Sequence, residues 1–322
     1  MSASASQPRP SYAILVAISA VGPLALNIFM PSMPGLQDEF NQPYGVVQLT
    51  LTLYLIGMAA CQLVYGPLSD RVGRRPMLLG GLSVFVLASL MAALAPSIEI
   101  LIAARLLQAL GGAAGIVLAR AMVRDVFDRE TSASVISYIT MAFVVAPMVA
   151  PALGGFLDSH FGWRMDFWLL GVLGAMVLAA SFRFLPETHV VRNPAGSGMG
   201  LITGAARLFA MPRFRGYTLT LAFTSTVFFA FLGGAPHIMM DVLKRTPMEY
   251  GLWFVLISAG YMLGNFMSGR YTQRVGIDRM IMVGCVISLA GGLLCFAAAI
   301  TGFLSPATLF VPMCLAALGN GL

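Results

Sequence analysis

Charge is what this sequence has least of. Only 10% of its 322 residues are Asp, Glu, Lys or Arg, while 58% are hydrophobic and the mean hydropathy is +0.86. That inverts the balance that keeps a globular surface in water, so a soluble fold is not expected. Cysteine is scarce as well: Cys61, Cys285, Cys295 and Cys314 stand inside apolar runs, with no CxxC spacing and no neighbouring His, so they are read as small lipid- or core-facing residues and no metal site is expected. There is no Walker loop, so ATP is not the expected energy source. No cluster of His, Asp and Glu faces a common cavity, so the chain is not expected to be an enzyme, and no cofactor is expected. The net charge of +6 falls in short clusters between apolar runs without an aromatic-basic face, which argues against nucleic acid as a partner.

What is present is long apolar runs. A bilayer core takes about 20 apolar residues per helix, because no water is there to satisfy an open backbone. Uncharged or nearly uncharged stretches run at Tyr12–Leu36, Gln42–Leu68, Met77–Ile98, Ile100–Ala119, Thr131–Leu157, Phe167–Phe182, Gly216–Met240 and Tyr250–Gly269. A last stretch, Met280–Leu322, is too long for one span and is divided by Gly302 and Pro306. The expectation is an all-α membrane protein of ten spans, six before and four after a hydrophilic break between Arg183 and Arg215. Within that break Leu201–Met211 could form an interfacial helix. The opening Met1–Pro10 reads as a short tail ahead of the first span, not a cleaved signal. Placing the N-terminus in the cytoplasm puts fifteen cationic residues inside and only Arg164, Lys244 and Arg245 outside, with Arg105 within a span.

The chain also repeats itself. A constant shift of 203 residues lays Gly57 on Gly260, Gly66 on Gly269, Arg71-Val72-Gly73 on Arg274-Val275-Gly276, Met77 on Met280 and Gly81 on Gly284. Further on, Leu318-Gly319-Asn320-Gly321 is similar to Leu110-Gly111-Gly112-Ala113, midway along the fourth span. Two related halves are expected: residues 1–184 as a six-helix bundle, 185–213 as a cytoplasmic central loop, and 214–322 as an incomplete second bundle of about four helices that stops within the tenth.

Between spans two and three stands Gly66-Pro67-Leu68-Ser69-Asp70-Arg71-Val72-Gly73-Arg74-Arg75. Gly66 would let helices approach closely, Gly73 would take a positive φ, Asp70 would cap or pair, and the arginines would meet lipid phosphates or helix C-termini. A plain topology-fixing loop is the bland alternative. The run resembles G-x-x-x-D-R-x-G-R-R, the signature loop of the major facilitator superfamily. The resemblance implies the major facilitator fold, with Asp70 and Arg71 locking and releasing two halves as they alternate between inward- and outward-open states. The second copy carries Gln273 at the position of Asp70, so the lock is expected to be asymmetric.

Two more spans carry chemistry. In the fourth, Arg105, Gln108 and Gly112 share a helix side, with Gly111 and Gly115 at small-xxx-small spacing. An intramembrane Arg is costly unless it faces a cavity or partner, although Arg105 is close enough to the outer end to snorkel. Similar arginines in proton-coupled facilitators take part in coupling and substrate binding. In the fifth span Ser137, Ala146, Ala150-Pro151 and Gly154-Gly155 follow the spacing of g-x8-g-x3-G-P-x2-G-G, which resembles the antiporter motif of drug exporters; ordinary kink and packing residues are the alternative.

The first span ends Asn27-Ile28-Phe29-Met30-Pro31-Ser32-Met33-Pro34, similar to the D-x-Y-x-P-x-x-P pattern of bicyclomycin- and chloramphenicol-resistance-type drug:proton antiporters, 12-spanners of the bacterial inner membrane. Ala119–Asp125 and Phe161-Gly162-Trp163-Arg164 resemble that branch too. The resemblance implies a monomeric multidrug efflux transporter working on small lipophilic molecules among membrane lipid, with the proton gradient as energy source. A symporter or facilitator for a metabolite is one rival reading, and an inactive fragment of a transporter is another. Asn27 replaces the branch's aspartate, and an amide does not exchange a proton at neutral pH. No other Asp or Glu lies well inside a predicted span, which leaves Asp38, Glu39 or a missing helix as the proton carrier, or else a chain that is not a proton antiporter. Phe29, Gln48, Tyr54, Gln62, Gln108, Phe228 and Asn265 are the polar or aromatic cavity candidates, each also explicable as helix packing.

Overall fold

The computed structural model describes residues 10–188, 204 and 206–322, and within these leaves out the side chains of 129, 130, 133, 134, 137, 138, 141–144, 147, 272 and 273. Ser137 and Gln273 therefore lie outside the described side chains, and residues 201–203 and 205 of the central-loop segment Leu201–Met211 lie outside the described residues; 204 and 206–210 of it are helical.

Each predicted span has its helix. They are α1 (Tyr12–Ile28), α3 (Tyr44–Val72), α4 (Arg74–Ala93), α5 (Ile98–Val126), α6 (Arg129–Phe161), α7 (Arg164–Phe184), α8 (Pro212–His237), α9 (Pro247–Val275), α10 (Ile277–Ile300) and α11 (Pro306–Gly321), with a short α2 at Gly35–Phe40. Among the described residues there is no strand. Among the described residues, eight of the helices are long and apolar enough to cross a membrane, and α11, at 16 residues, is shorter. A 29-residue helix such as α3 or α5 is roughly 43 Å long, more than a bilayer core, so it tilts or protrudes. The surface is inverted relative to a soluble protein, with Phe303, Phe223, Ile300 and Leu63 among many exposed large apolar side chains.

The boundaries follow the punctuation. Proline opens α8, α9 and α11 in the first turn, where its missing N–H is no loss. Ser305 and Thr308 close a reciprocal capping box on α11. Gly162 and Gly302 adopt φ of +82° and +70° at the breaks between α6 and α7 and between α10 and α11. One span differs from expectation. The run Tyr12–Leu36 is helical only to Ile28, because Pro31 and Pro34 cannot continue the ladder; Met30–Ser32 is a 3-10 turn instead.

The chain divides into two compact units. The first comprises residues 1–29, 36–146 and 161–198, and the second 30–35, 147–160 and 199–322. In the first, α5 is the central helix, packed against α1, α3 and α4, while α7 packs on α4 and α1. Its core joins Leu15, Ile18, Leu78, Leu82, Ala113, Leu118 and Met122. In the second unit α11 packs against both α9 and α10, and the end of α6 joins α9: a Cβ on Gly155 would come within 3.0 Å of the Pro247 backbone, and one on Gly251 equally close to Pro151. That close approach is why the last turns of α6 belong to the second unit despite their place in the sequence.

Candidate functional site

Arg105 is fully buried in the first unit. Seven residues in from the start of α5 at Ile98, it stands roughly 10 Å along the helix, which places its guanidinium among side chains instead of at the helix end. Its Nη1 donates to Ala25 O (3.0 Å) in α1 and to Gln108 Oε1 (2.6 Å) one turn on. Gln108 Nε2 in turn donates to Ser89 Oγ (2.8 Å), and Ser89 Oγ to Phe85 O (2.7 Å) in α4. The guanidinium lies over three rings, Tyr54 at 4.2 Å, Phe29 at 5.0 Å and Phe167 at 5.8 Å. Tyr54 is held by donating to Gly22 O at 2.9 Å. Placing a cation at membrane depth costs about 3 kcal/mol on insertion scales. A desolvated cation–π contact returns about 2 kcal/mol, so these rings with two hydrogen bonds are enough to hold the charge in place. Snorkelling is thereby excluded for Arg105.

The cluster is not saturated. Arg105 Nε and Nη2 have no hydrogen-bond partner among the described residues, and neither has Asn27 Oδ1, although Asn27 Nδ2 donates back to Pro23 O at 2.7 Å. Unused donors and an unused acceptor, both buried, beside aromatic faces form an apolar site with a few directed polar groups. Sequence reasoning missed one of its members, Ser89, which completes the polar chain. It also passed over Asp166, wholly buried in the first turn of α7 one residue before Phe167. Asp166 precedes the uncharged run Phe167–Phe182 by one residue, so counting uncharged residues placed it outside the membrane. The reading that no Asp or Glu lies well inside a span thus left a buried carboxylate at a span's first turn unconsidered. Asp38 and Glu39 are exposed, and Glu39 pairs with Arg164 at 2.8 Å.

At the other end of α3 and α4 lies the signature loop. Gly73 has φ +109° and ends α3 while opening α4, and a Cβ there would sit 2.7 Å from Glu187 Oε2, so the position suits glycine for conformation and for space. Arg74, largely buried, pairs with Asp70 (2.7 Å) and Asp125 (3.0 Å) and also donates to Ser69 Oγ. Glu187 takes the N–H groups of Arg74 and Arg75 at 3.0 and 3.1 Å, an anion on the start of α4. Arg75 donates to Phe182 O at 2.7 Å. Asp70 thus pairs inside its own unit with Arg74, not with the adjacent Arg71. The partners Asp125 and Glu187 come from over 50 residues away, beyond what spacing within the loop reveals. Gly66 differs from expectation, because a Cβ there would meet nothing within 4 Å; its carbonyl instead accepts from Arg74 at 3.4 Å.

In the second unit the antiporter-motif positions Ala150, Pro151, Gly154 and Gly155 are buried along the end of α6, and Ala146 is buried just before them in the first. Asp158, one turn beyond Gly154, receives a hydrogen bond from buried Ser32. Among the cavity candidates, the structure joins Phe29, Tyr54 and Gln108 to Arg105. Gln62 and Asn265 are exposed, and Phe228 contributes ring contacts with Phe229 and Phe254 at 5.5 and 6.5 Å. A cleft of about 320 Å³ in the second unit is lined by Tyr217, Thr220, Ile277, Ile281 and Cys285, with none of the sequence candidates on its wall.

Comparison with known proteins agrees with this arrangement. The family model of the Major Facilitator Superfamily matches residues 15–322. The chain is 34% identical over 309 residues to "Multidrug resistance protein D" of Escherichia coli (strain K12), covering 96% of this chain and 77% of that protein. It is 33% identical over 297 residues to "Chloramphenicol resistance protein" of Pseudomonas aeruginosa, covering 92% and 70%. Its fold is similar to the crystal structure of a bacterial homolog of the human lysosomal transporter Spinster, with a TM-score of 0.74 at 19% identity over 96% of this chain and 72% of that one.

Proposed function

The chain belongs to the Major Facilitator Superfamily, and from that premise we propose that this multi-pass membrane protein is a drug:proton antiporter that exports small lipophilic compounds by alternating access. The observation that carries the reading is the buried Arg105 cluster, with its three rings, its unused Nε and Nη2 donors and the unused Asn27 acceptor. Such a site offers dispersion and ring contacts to an apolar molecule and a few donors to its carbonyl or hydroxyl oxygens. The names of its relatives support drugs as the cargo, chloramphenicol among them. In this reading the N-terminus is cytoplasmic, the membrane is a bacterial inner membrane and the working unit is a monomer. Residues 1–184 and 214–322 form the two bundles, and Asp70 and Arg71 lie in the switch loop between spans two and three. The motif positions Ala146, Ala150, Pro151, Gly154 and Gly155, buried toward the end of α6, are read as the place where that helix bends in the cycle.

Everted membrane vesicles holding an inward-acid proton gradient test the reading. Adding chloramphenicol or bicyclomycin should partly collapse the gradient in vesicles that contain the protein, and not in vesicles without it. A gradient that deepens would indicate symport instead, and one that responds to no compound would contradict proton-coupled drug exchange.

A further inference from the structure

At the turn into α7, the run Phe161-Gly162-Trp163-Arg164 brings a further unused donor beside the Arg105 site. Trp163 is buried, with 7% of its surface exposed, and its indole Nε1 has no hydrogen-bond partner among the described residues. We propose that Trp163 is a cargo-contacting residue, donating its indole N–H to an oxygen of the transported molecule and so helping to select which lipophilic compounds are exported. The inference deepens the drug-export reading above and rests on it for the identity of the cargo, while the contact itself is open to direct measurement.

Trp163 caps α7 with helical dihedrals, and Phe167 follows it by four residues, so the two side chains share one helix side. Their rings meet edge-on at 5.9 Å. Phe167, fully buried, lies 5.8 Å from the Arg105 guanidinium and 5.1 Å from the Phe29 ring. Trp168, by contrast, is exposed. Phe167 is thus the ring that both sets of unused donors adjoin, Arg105 Nε and Nη2 and Trp163 Nε1. The indole is also held in place. The Arg164 guanidinium covers it at 4.3 Å, and Arg164 is itself fixed by Glu39 at 2.8 Å and by Ala95 O at 3.4 Å. Phe40 adds a tilted ring at 5.7 Å. All of these residues belong to the first unit, and a donor held in this way gives up little freedom when an acceptor arrives.

A Trp buried for packing alone ordinarily finds a partner for its N–H, and leaving that group unsatisfied costs about 1–3 kcal/mol. The neighbouring rings of Phe40 and Phe167 have no lone pair to offer. A bridging water needs at least two polar partners, which these rings do not supply either. A transported molecule does supply the acceptor, and only while it is bound. Phe29 and Phe167 touch, so an apolar body binds by taking the place of that contact, and its oxygen atoms then meet Arg105 and Trp163. The ligand class is therefore an uncharged lipophilic compound with acceptor oxygens at two places along an aryl or alicyclic body. A hydrocarbon of the same size would gain the ring contacts and leave the donors unsatisfied, which is how a polar site rejects an analogue that lacks the matching group.

Chloramphenicol, with a nitro group and an amide carbonyl at opposite ends of an aryl body, is the probe, and its Kd for the purified protein is the readout. The chain has three tryptophans, so Trp168→Phe with Trp253→Phe leaves Trp163 alone. Growing that protein with benzothienylalanine in place of tryptophan exchanges the Trp163 N–H for sulfur at nearly constant shape. Binding should weaken about two- to tenfold, the loss of one hydrogen bond, while the thermal midpoint without drug does not fall, because the donor had no partner to lose. Should the doubly substituted protein fold poorly, Trp163→Phe in the otherwise natural chain should weaken binding by at least as much. An unchanged Kd overturns the proposal, and so does a lower midpoint on loss of the N–H, which would mean that the donor is already satisfied without cargo. A parent protein that binds no chloramphenicol overturns it together with the drug-export reading. Weakened binding in protein that shows no chloramphenicol-driven proton exchange leaves the contact standing and defeats the antiport reading instead.

Discussion

The two repeats of the chain are built on the same backbone joints and filled with different chemistry. In the first, Gly57 approaches Leu106, and Gly111 is closed in by Gly81 and Phe85. In the second, Gly260 approaches Cys314, and Gly319 is closed in by Gly284 and Ser288. These are the same positions under the shifts of 203 and 208 residues read from the sequence, and Gly276 repeats the positive φ of Gly73. The residues of the Arg105 cluster do not repeat. Arg105, Gln108 and Ser89 become Met313, Ala316 and Gly292, and Tyr54 becomes Ile257. Helix packing in a membrane depends on small residues that let backbones meet, and this requirement binds both copies alike. A buried charge needs a whole set of partners, and only one copy has them.

The comparison can be broken most severely by moving the charge. Met313→Arg would place a cation where the matched positions offer Ala316 and Gly292 in place of Gln108 and Ser89, at a cost of about 3 kcal/mol. The yield of folded protein after extraction should fall well below wild type, and an unchanged yield would mean that the second copy can solvate a cation after all. Next come the shared joints. Gly111→Ala and Gly319→Ala each force a Cβ against backbone inside 3.0 Å, and both should lower the thermal unfolding midpoint by a similar amount, about 1–3 kcal/mol. A loss confined to one of them would show that the joints are not equivalent.

Smaller is the effect at the turn before α4. Glu187→Gln weakens two charge-assisted hydrogen bonds to the Arg74 and Arg75 amides, worth about 1–2 kcal/mol, whereas the start of α10 presents Ile277 and Asp278 and should not respond to Asp278→Asn by as much. Thermal melts of the two variants decide the point. Least in stability is Asp70→Asn, since Asp70 is 44% exposed and its pair with Arg74 contributes about 1 kcal/mol or less. Its transport rate in vesicles should nevertheless fall further than that of Gln273→Ala; equal rates would remove the asymmetry of the lock.

Much of this was legible beforehand. Ten helices, the division at Gly302 and Pro306, the positive φ of Gly73 and the burial of Arg105 follow from run length, punctuation and the energetics of an isolated cation. What escaped were partners from distant parts of the chain. Asp125 and Glu187 reach Arg74 and its neighbour across more than 50 residues, and nothing local in the loop announces them. Asp166 escaped for another reason. A rule that ends a span at the first charged residue treats every flanking carboxylate as solvated, yet α7 starts at Arg164 and its first turn is already inside the fold. Gly66 was misread because a glycine in a helix suggests a close contact, and the structure gives it none in its own unit.

The central claim is that the first copy's charged cluster, and not its apolar counterpart, couples drug to proton. Chloramphenicol-driven collapse of a proton gradient in everted vesicles, measured for Arg105→Ala beside Met313→Ala at matched protein levels, tests it most directly. The account predicts that Arg105→Ala abolishes the collapse while Met313→Ala retains it. Wild-type collapse in Arg105→Ala, or equal loss in both, would contradict it.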